Sequence, residues 1–146
     1  INESNLSLVM LDVDNFKNYN DTLGHIRGDG ALRQISDILQ GKSRKFDIVA
    51  RYGGEEFAII MPSTSRENAR LFAERLRSEV ERFYAEDEAI EPAKRLTISL
   101  GIGASPEDAG GKEELISRAD LALYEAKHSG KNRTCLYSRA MGEKKP

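Results

Sequence analysis

The chain has 146 residues, 39% of them apolar and 32% charged, and a formal net charge of −2. That length suits one domain with a real core, and the interspersed charge gives no sign of a nucleic-acid or anionic-membrane partner. The single cysteine, Cys135, excludes an internal disulfide and a cysteine-based zinc site, and no apolar run approaches the roughly 18 residues of a membrane span or reads as a signal peptide, which points to the cytoplasm.

Leu6 to Leu11 reads as a strand apolar on both faces, as in the middle of a sheet. It runs into Asp12-Val13-Asp14. Asp12 and Asp14 share a face, with the Val13 carbonyl between them, a set of oxygens that suits a hard cation such as Mg2+. Asp14 is expected to cap the helix that begins at Asn15. Asp12 is expected to be a ligand, because a lone carboxylate at the end of a buried strand is costly.

A short helix follows to Gly24, then a turn from His25 to Gly30. Lys17, Asn20 and Asp29 are groups that read a phosphate or a base edge, and a carboxylate accepts from guanine N1–H and N2–H2. They are also ordinary loop residues, and His25 reads as a structural hydrogen-bonder. Leu32, Ile35, Ile38 and Leu39 form a helical stripe over Ala31–Leu39, ended by Gly41. A basic connection, Lys42 to Asp47, leads into the next strand.

The stretch Arg51-Tyr52-Gly53-Gly54-Glu55-Glu56-Phe57 lies between the apolar runs Ile48–Ala50 and Phe57–Met61. It predicts a hairpin with a tight primed turn, both glycines at positive φ, Arg51 opposite Glu56 and Tyr52 opposite Glu55. Glu55 and Glu56 then point to opposite faces. The second strand is too apolar for an edge hairpin, so a buried sheet presents the turn.

Thr64 and Glu67 have capping-box spacing, and Ala69, Phe72, Ala73, Leu76, Val80 and Phe83 give the next helix an apolar face. A loop from Ala85 to Lys94 precedes a strand over Arg95–Ala104, whose glycines imply close packing or a bulge. A helix over Glu113–Ser129 has small inward residues, with Lys127 and Lys131 near its C-terminal end complementing the helix dipole. Thr134–Tyr137 is a last strand carrying Cys135 as a buried, inert thiol. The domain is read as residues 1–138, and 139–146 as a frayed tail.

This order, β-α-(α)-β-β-α-β-α-β, has no GxGxxG or Walker loop. It predicts an α+β fold of the palm or ferredoxin-like type: a mixed, mostly antiparallel sheet with helices packed on it, as in nucleotidyl cyclases. If the first strand pairs with the hairpin, Asp12, the Val13 carbonyl, Glu55 and Glu56 converge and could hold two Mg2+ on a triphosphate.

The motifs Asp12-Val13-Asp14-Asn15-Phe16-Lys17, Asn20-Asp21, Gly24-His25, Gly28-Asp29, Arg51 to Phe57, Thr97 to Gly101, Ala119-Asp120, Ala122 to Lys127 and Gly130-Lys131-Asn132 occur in one order along nearly the whole chain. The chain resembles the GGDEF family of diguanylate cyclases, as a GGEEF variant. The resemblance implies a bacterial second-messenger enzyme that condenses two GTP into cyclic di-GMP and two pyrophosphates. It implies Asp12, Glu55 and Glu56 as catalytic residues. The metal set is Asp12, Val13, Glu55 and Glu56, holding two Mg2+ per half-site, with Mn2+ as a substitute. Phe16, Lys17, Lys127 and Lys131 serve the phosphates, Gly53 and Gly54 let the hairpin lie against the nucleotide, and Asn20 and Asp29 read the guanine. Each domain supplies half a site, so the active form is an antiparallel homodimer. Arg44 and Asp47 form the RxxD of an inhibitory product site, with Arg75 as a secondary contact. Lys131 stands where arginine is common, which loses bidentate phosphate contact. The family's Asp-x-Leu-Thr segment has no counterpart ahead of Leu6, and a fused sensor or dimerisation domain is expected in the full-length protein. The alternatives are a catalytically silent module that binds GTP or cyclic di-GMP, and a palm-type polymerase, which the lack of a basic groove disfavours.

Overall fold

A computed structural model describes residues 5–142. Five strands form one sheet in the order β2-β3-β1-β4-β5. Strand β1 (Leu6–Asp14) is central, antiparallel to β3 (Glu56–Pro62) and to β4 (Thr97–Ser105), while β5 (Thr134–Leu136) runs parallel to β4. The mixed, mostly antiparallel palm-like sheet is the one expected from the element order.

Side-chain alternation along β1 divides the core in two. Val9, Leu11 and Val13 face one side, where α1 (Phe16–Leu23), α2 (His25–Lys42) and α3 (Arg66–Tyr84) contribute Phe16, Tyr19, Ile35, Leu39, Phe72, Leu76 and Val80. Leu8 and Met10 face the other side, where α4 (Lys112–His128) contributes Leu115, Ala119 and Leu123. The Val, Leu, Ile, Phe and Met side chains among these each contribute about 1.5–3 kcal/mol when fully buried, so both faces of β1 are committed and its register cannot slip. Asp12 and Asp14 therefore look toward the α4 side.

Several local expectations are corrected. The segment His25–Gly30 is the start of α2 rather than a turn, and Gly41 does not end that helix, which reaches Lys42. Gly28 is tolerated inside it because close packing against Asn20 and Phe16 of α1 outweighs its poor propensity. The α3 cap is Ser65, whose side chain accepts from the Asn68 N–H at 3.2 Å, not Thr64. Phe83 is 55% exposed, and Tyr84 is the inward residue, donating to the Ala31 carbonyl and Gln34. Helix α4 runs one residue ahead of its expected span at each end, and β5 stops at Leu136.

The hairpin also differs. Strand β2 (Ile48–Arg51) is an exposed edge, and only β3 is internal. Arg51 pairs with Phe57, one residue off the expected register. Neither Gly53 nor Gly54 has positive φ, so the connection is a wider loop and not a two-residue primed turn. Cys135 is half-buried. Beyond residue 138, Met141 still packs against Leu121, Ala122 and Tyr137, and 143–146 lie outside the described residues. No helix among the described residues is long and apolar enough to cross a membrane.

Candidate active site at the acidic end of the sheet

The C-terminal end of β1 and the N-terminal end of β3 lie side by side. Asp12 pairs with Glu56 in the antiparallel register, and the Val13 N–H donates to the Glu55 carbonyl at 3.1 Å. Asp12 is 5% exposed. Its Oδ2 accepts from the Lys127 ammonium of α4 at 2.5 Å, and its Oδ1 is buried with no hydrogen-bond partner. Burial and the adjacent Asp12 carboxylate push the Glu55 carboxyl above the usual glutamate range, while Lys127 pulls it down. Burial disfavours the charge on Lys127, yet Asp12, Glu55 and Glu56 outweigh it and hold its pKa above the ordinary lysine value.

The loop between β2 and β3 is pinned by hydrogen bonds. Arg51 donates to the carbonyls of Gly53 and Gly54 at 3.3 and 2.5 Å, and the N–H groups of Tyr52 and Gly53 donate to the Glu56 carbonyl. The Glu56 side chain lies alongside Gly53, where an added Cβ would come within 3.5 Å of Oε2. Both glycines are exposed, so the loop offers bare backbone to solvent.

Helices α1 and α2 form a hairpin hinged at Gly24, φ 89°. It brings Asn20 against Gly28, where an added Cβ would sit 1.6 Å from Asn20 Oδ1. That oxygen is buried and unpaired, and Asp29 is exposed on the next residue of α2. Lys17 is 90% exposed and pairs with Asp21 at 3.3 Å. Phe16 is a core side chain, 7% exposed, so any part it takes at the site falls to its backbone.

After α4 the chain turns through three consecutive residues at positive φ: Gly130 at 135°, Lys131 at 63° and Asn132 at 47°. For the two non-glycine residues this conformation costs roughly 1–2 kcal/mol each. Asn132 donates from its backbone N–H to Asp14 at 3.1 Å, and its side chain joins Arg77 and Glu81 on α3. Asp14 is not the cap of α1. Asn15 starts that helix in a left-handed conformation with no side-chain cap, and the Asp14 carboxylate accepts from the hydroxyls of Thr97 and Ser99 instead. Lys127 likewise serves Asp12 rather than only the helix dipole.

Asp12, Glu55, Glu56 and Lys127 thus share one sheet end, with Lys131 on the loop that follows α4. Among the described residues no three His, Cys, Asp or Glu side chains converge as a ready metal cage. The donor set still suits a hard cation, because Asp12 offers an orphaned buried oxygen beside a second carboxylate.

The RxxD pair lies on the α2–β2 connection. Arg44 binds Asp47 through Nη2–Oδ1 at 2.9 Å and Nε–Oδ2 at 3.2 Å, and also reaches the Thr64 hydroxyl and the Pro62 carbonyl. The Asp47 side chain is fully covered. Arg75 sits on α3 with its guanidinium over the Phe72 ring, and among the described residues no hydrogen bond or ion pair joins it to Arg44 or Asp47.

A palm-type α+β domain with an acidic sheet end facing lysines is the class this geometry defines. A family model described as diguanylate cyclase, GGDEF domain, matches residues 2–133. The chain belongs to this family. It is 41% identical over 133 residues to diguanylate cyclase A of Treponema denticola, covering 90% of this chain and 35% of that protein. Against diguanylate cyclase VdcA of Vibrio cholerae the identity is 43% over 129 residues, covering 88% and 38%. The chain spans about a third of the length of these relatives. Among solved structures it resembles the active GGEEF domain of a Vibrio cholerae diguanylate cyclase, TM-score 0.80, 32% identity, covering 92% of this chain and 84% of that one. It also resembles the GGDEF domain of DgcB from Caulobacter crescentus in complex with c-di-GMP, TM-score 0.79, 32% identity, covering 90% and 77%.

Proposed function

We propose that this domain, residues 1–138, condenses two GTP into cyclic di-GMP and two pyrophosphates. The observation that carries the reading is the juxtaposition of Asp12, Glu55 and Glu56 at one sheet end with Lys127 against them. Each ribose 3′-oxygen attacks the α-phosphorus of the other GTP, the P–O bond to pyrophosphate breaks, and the 3′-hydroxyl proton leaves to a base. Glu55 is that base, since its raised pKa brings it closer to the proton it must take. Asp12, the Val13 carbonyl, Glu55 and Glu56 would hold divalent cations, two Mg2+ or Mn2+ per half-site, which when bound neutralise the triphosphate charge. Lys127 and Lys131 face the phosphates, with Lys17 and the Phe16 backbone. The bare loop at Gly53 and Gly54 lets the nucleotide lie close. The exposed Asp29 carboxylate accepts from guanine N1–H and N2–H2, and the Asn20 amide serves the O6 or N3 edge.

One domain holds one GTP, so two domains meet antiparallel as a homodimer. Cyclic di-GMP inhibits at Arg44 and Asp47, with Arg75 as a secondary contact. The domain works in the cytoplasm, fused to a sensor or dimerisation domain. The test is calorimetric: with Mg2+ the chain binds GTP and not ATP, and Asp29→Ala and Asn20→Ala each weaken GTP. Equal binding of ATP and GTP sinks the guanine assignment. The second reading is a silent GTP- or cyclic di-GMP-binding module, and turnover decides between the two.

A further inference from the structure

Asp14 is a buried carboxylate, 3% exposed, with no part in the reading above. Its charge is met by hydrogen bonds: Thr97 Oγ1 at 2.8 Å, Ser99 Oγ at 2.8 and 3.0 Å, and the Asn132 N–H at 3.1 Å. The same N–H also reaches Ser99 Oγ at 3.2 Å. Burying a carboxylate is costly unless its oxygens are satisfied, and for Asp14 part of that satisfaction comes from a backbone held at positive φ.

The loop Gly130–Asn132 is braced from every side. Gly130 packs under Arg133, where an added Cβ would meet the guanidinium at 2.2 Å. The Lys131 N–H donates to the Ala126 carbonyl, and the Asn132 side chain bridges Arg77 and Glu81. The group left without a partner is the exposed Lys131 ammonium, which forms no ion pair among the described residues. Asp12 and Asp14 stand on the same face of β1. Asp12 holds Lys127 directly, and Asp14 holds the backbone next to Lys131.

We propose that Asp14, through Ser99 and the Asn132 N–H, is a positioning residue that holds Lys131 extended toward the nucleotide phosphates. The inference rests on the GTP reading and deepens it. Its mechanism is preorganisation: the strained loop is fixed before the ligand arrives, so binding does not have to order it.

The test is a double-variant cycle read as the GTP dissociation constant with Mg2+, on the whole chain. Lys131→Ala weakens GTP about tenfold, the scale of one charge-assisted contact. Asp14→Asn weakens it by a similar factor, and the double variant is no weaker than Lys131→Ala alone. Ser99→Ala, a milder change, falls between parent and Asp14→Asn and carries the test if Asp14→Asn does not fold. A role in stability alone would lower the melting temperature without this coupling. The proposal is overturned if folded Asp14→Asn, or Ser99→Ala in its place, binds GTP like the parent, or if its effect multiplies with that of Lys131→Ala. If Lys131→Ala itself leaves GTP binding unchanged, the phosphate role of Lys131 is what fails, and the proposal falls with it.

Discussion

Gly101 on β4 lies directly beneath α4. An alanine there would place its Cβ 2.0 Å from the Leu123 nitrogen, 2.5 Å from the Ala119 oxygen and 2.6 Å from the Ala122 carbonyl carbon. The nearest of these is 1.4 Å short of an ordinary 3.4 Å contact, and all three are backbone atoms that no rotamer change can move. Gly101→Ala therefore forces the helix off the sheet. Overpacking costs about 1–3 kcal/mol, and an unyielding neighbour puts this case at the upper end, about 3 kcal/mol. For a domain of this size that lowers Tm by roughly 6–12 °C. Gly103→Ala is the internal control. Its nearest atoms lie at 3.0, 3.2 and 3.3 Å, so a shift of a few tenths of an ångström suffices and the loss is about 1 kcal/mol or less. Urea unfolding of the two variants and the parent measures both. Because α4 also carries Lys127, the Gly101 variant should lose GTP turnover beyond its unfolded fraction. The reasoning is refuted if Gly101→Ala unfolds at the same urea concentration as the parent, or as Gly103→Ala.

Further predictions follow from the site. Glu55 has its folded-state pKa raised, so folding favours its neutral form; that contribution is present in acid and is lost as pH rises through the folded value. Glu55→Gln should thus gain stability over the parent at neutral pH, with the gain vanishing near pH 4, and should lose at least about 100-fold in cyclic di-GMP formation; a stability gap independent of pH would contradict this. Arg44→Ala should abolish inhibition by added cyclic di-GMP while leaving the initial rate with GTP unchanged, and undiminished inhibition would remove the RxxD assignment. Ser65→Ala should cost about 1 kcal/mol in urea unfolding as the true cap of α3. Glu67→Ala, which loses only an exposed pair with Arg70, should cost within about 0.5 kcal/mol, and the reverse ranking would restore the Thr64–Glu67 box.

The strand pairing that brings Asp12 to Glu56 was legible from two apolar runs, each ending in carboxylates. What escaped was non-local. Asp14 looks like a helix cap in sequence because its partners, Thr97, Ser99 and Asn132, are more than eighty residues away. Its alternation with Met10 and Asp12 on one face of β1 was the available signal. Gly28 reads as a turn residue because local propensity says nothing of Asn20 and Phe16 of α1 packing against it. The Gly-Gly pair suggested a two-residue turn, whereas Arg51 holds a wider loop through the Gly53 and Gly54 carbonyls.

Turnover tests the central claim most directly. The chain, at high protein concentration to favour pairing of half-sites, is incubated with GTP and Mg2+ and its nucleotides are resolved by chromatography, beside Glu55→Gln and Glu56→Gln. The account predicts cyclic di-GMP and pyrophosphate from the parent, a rate rising faster than protein concentration, and at most about a hundredth of that product from either variant. GTP left unconverted by a parent that binds it tightly, at concentrations where the chain is dimeric, would contradict it.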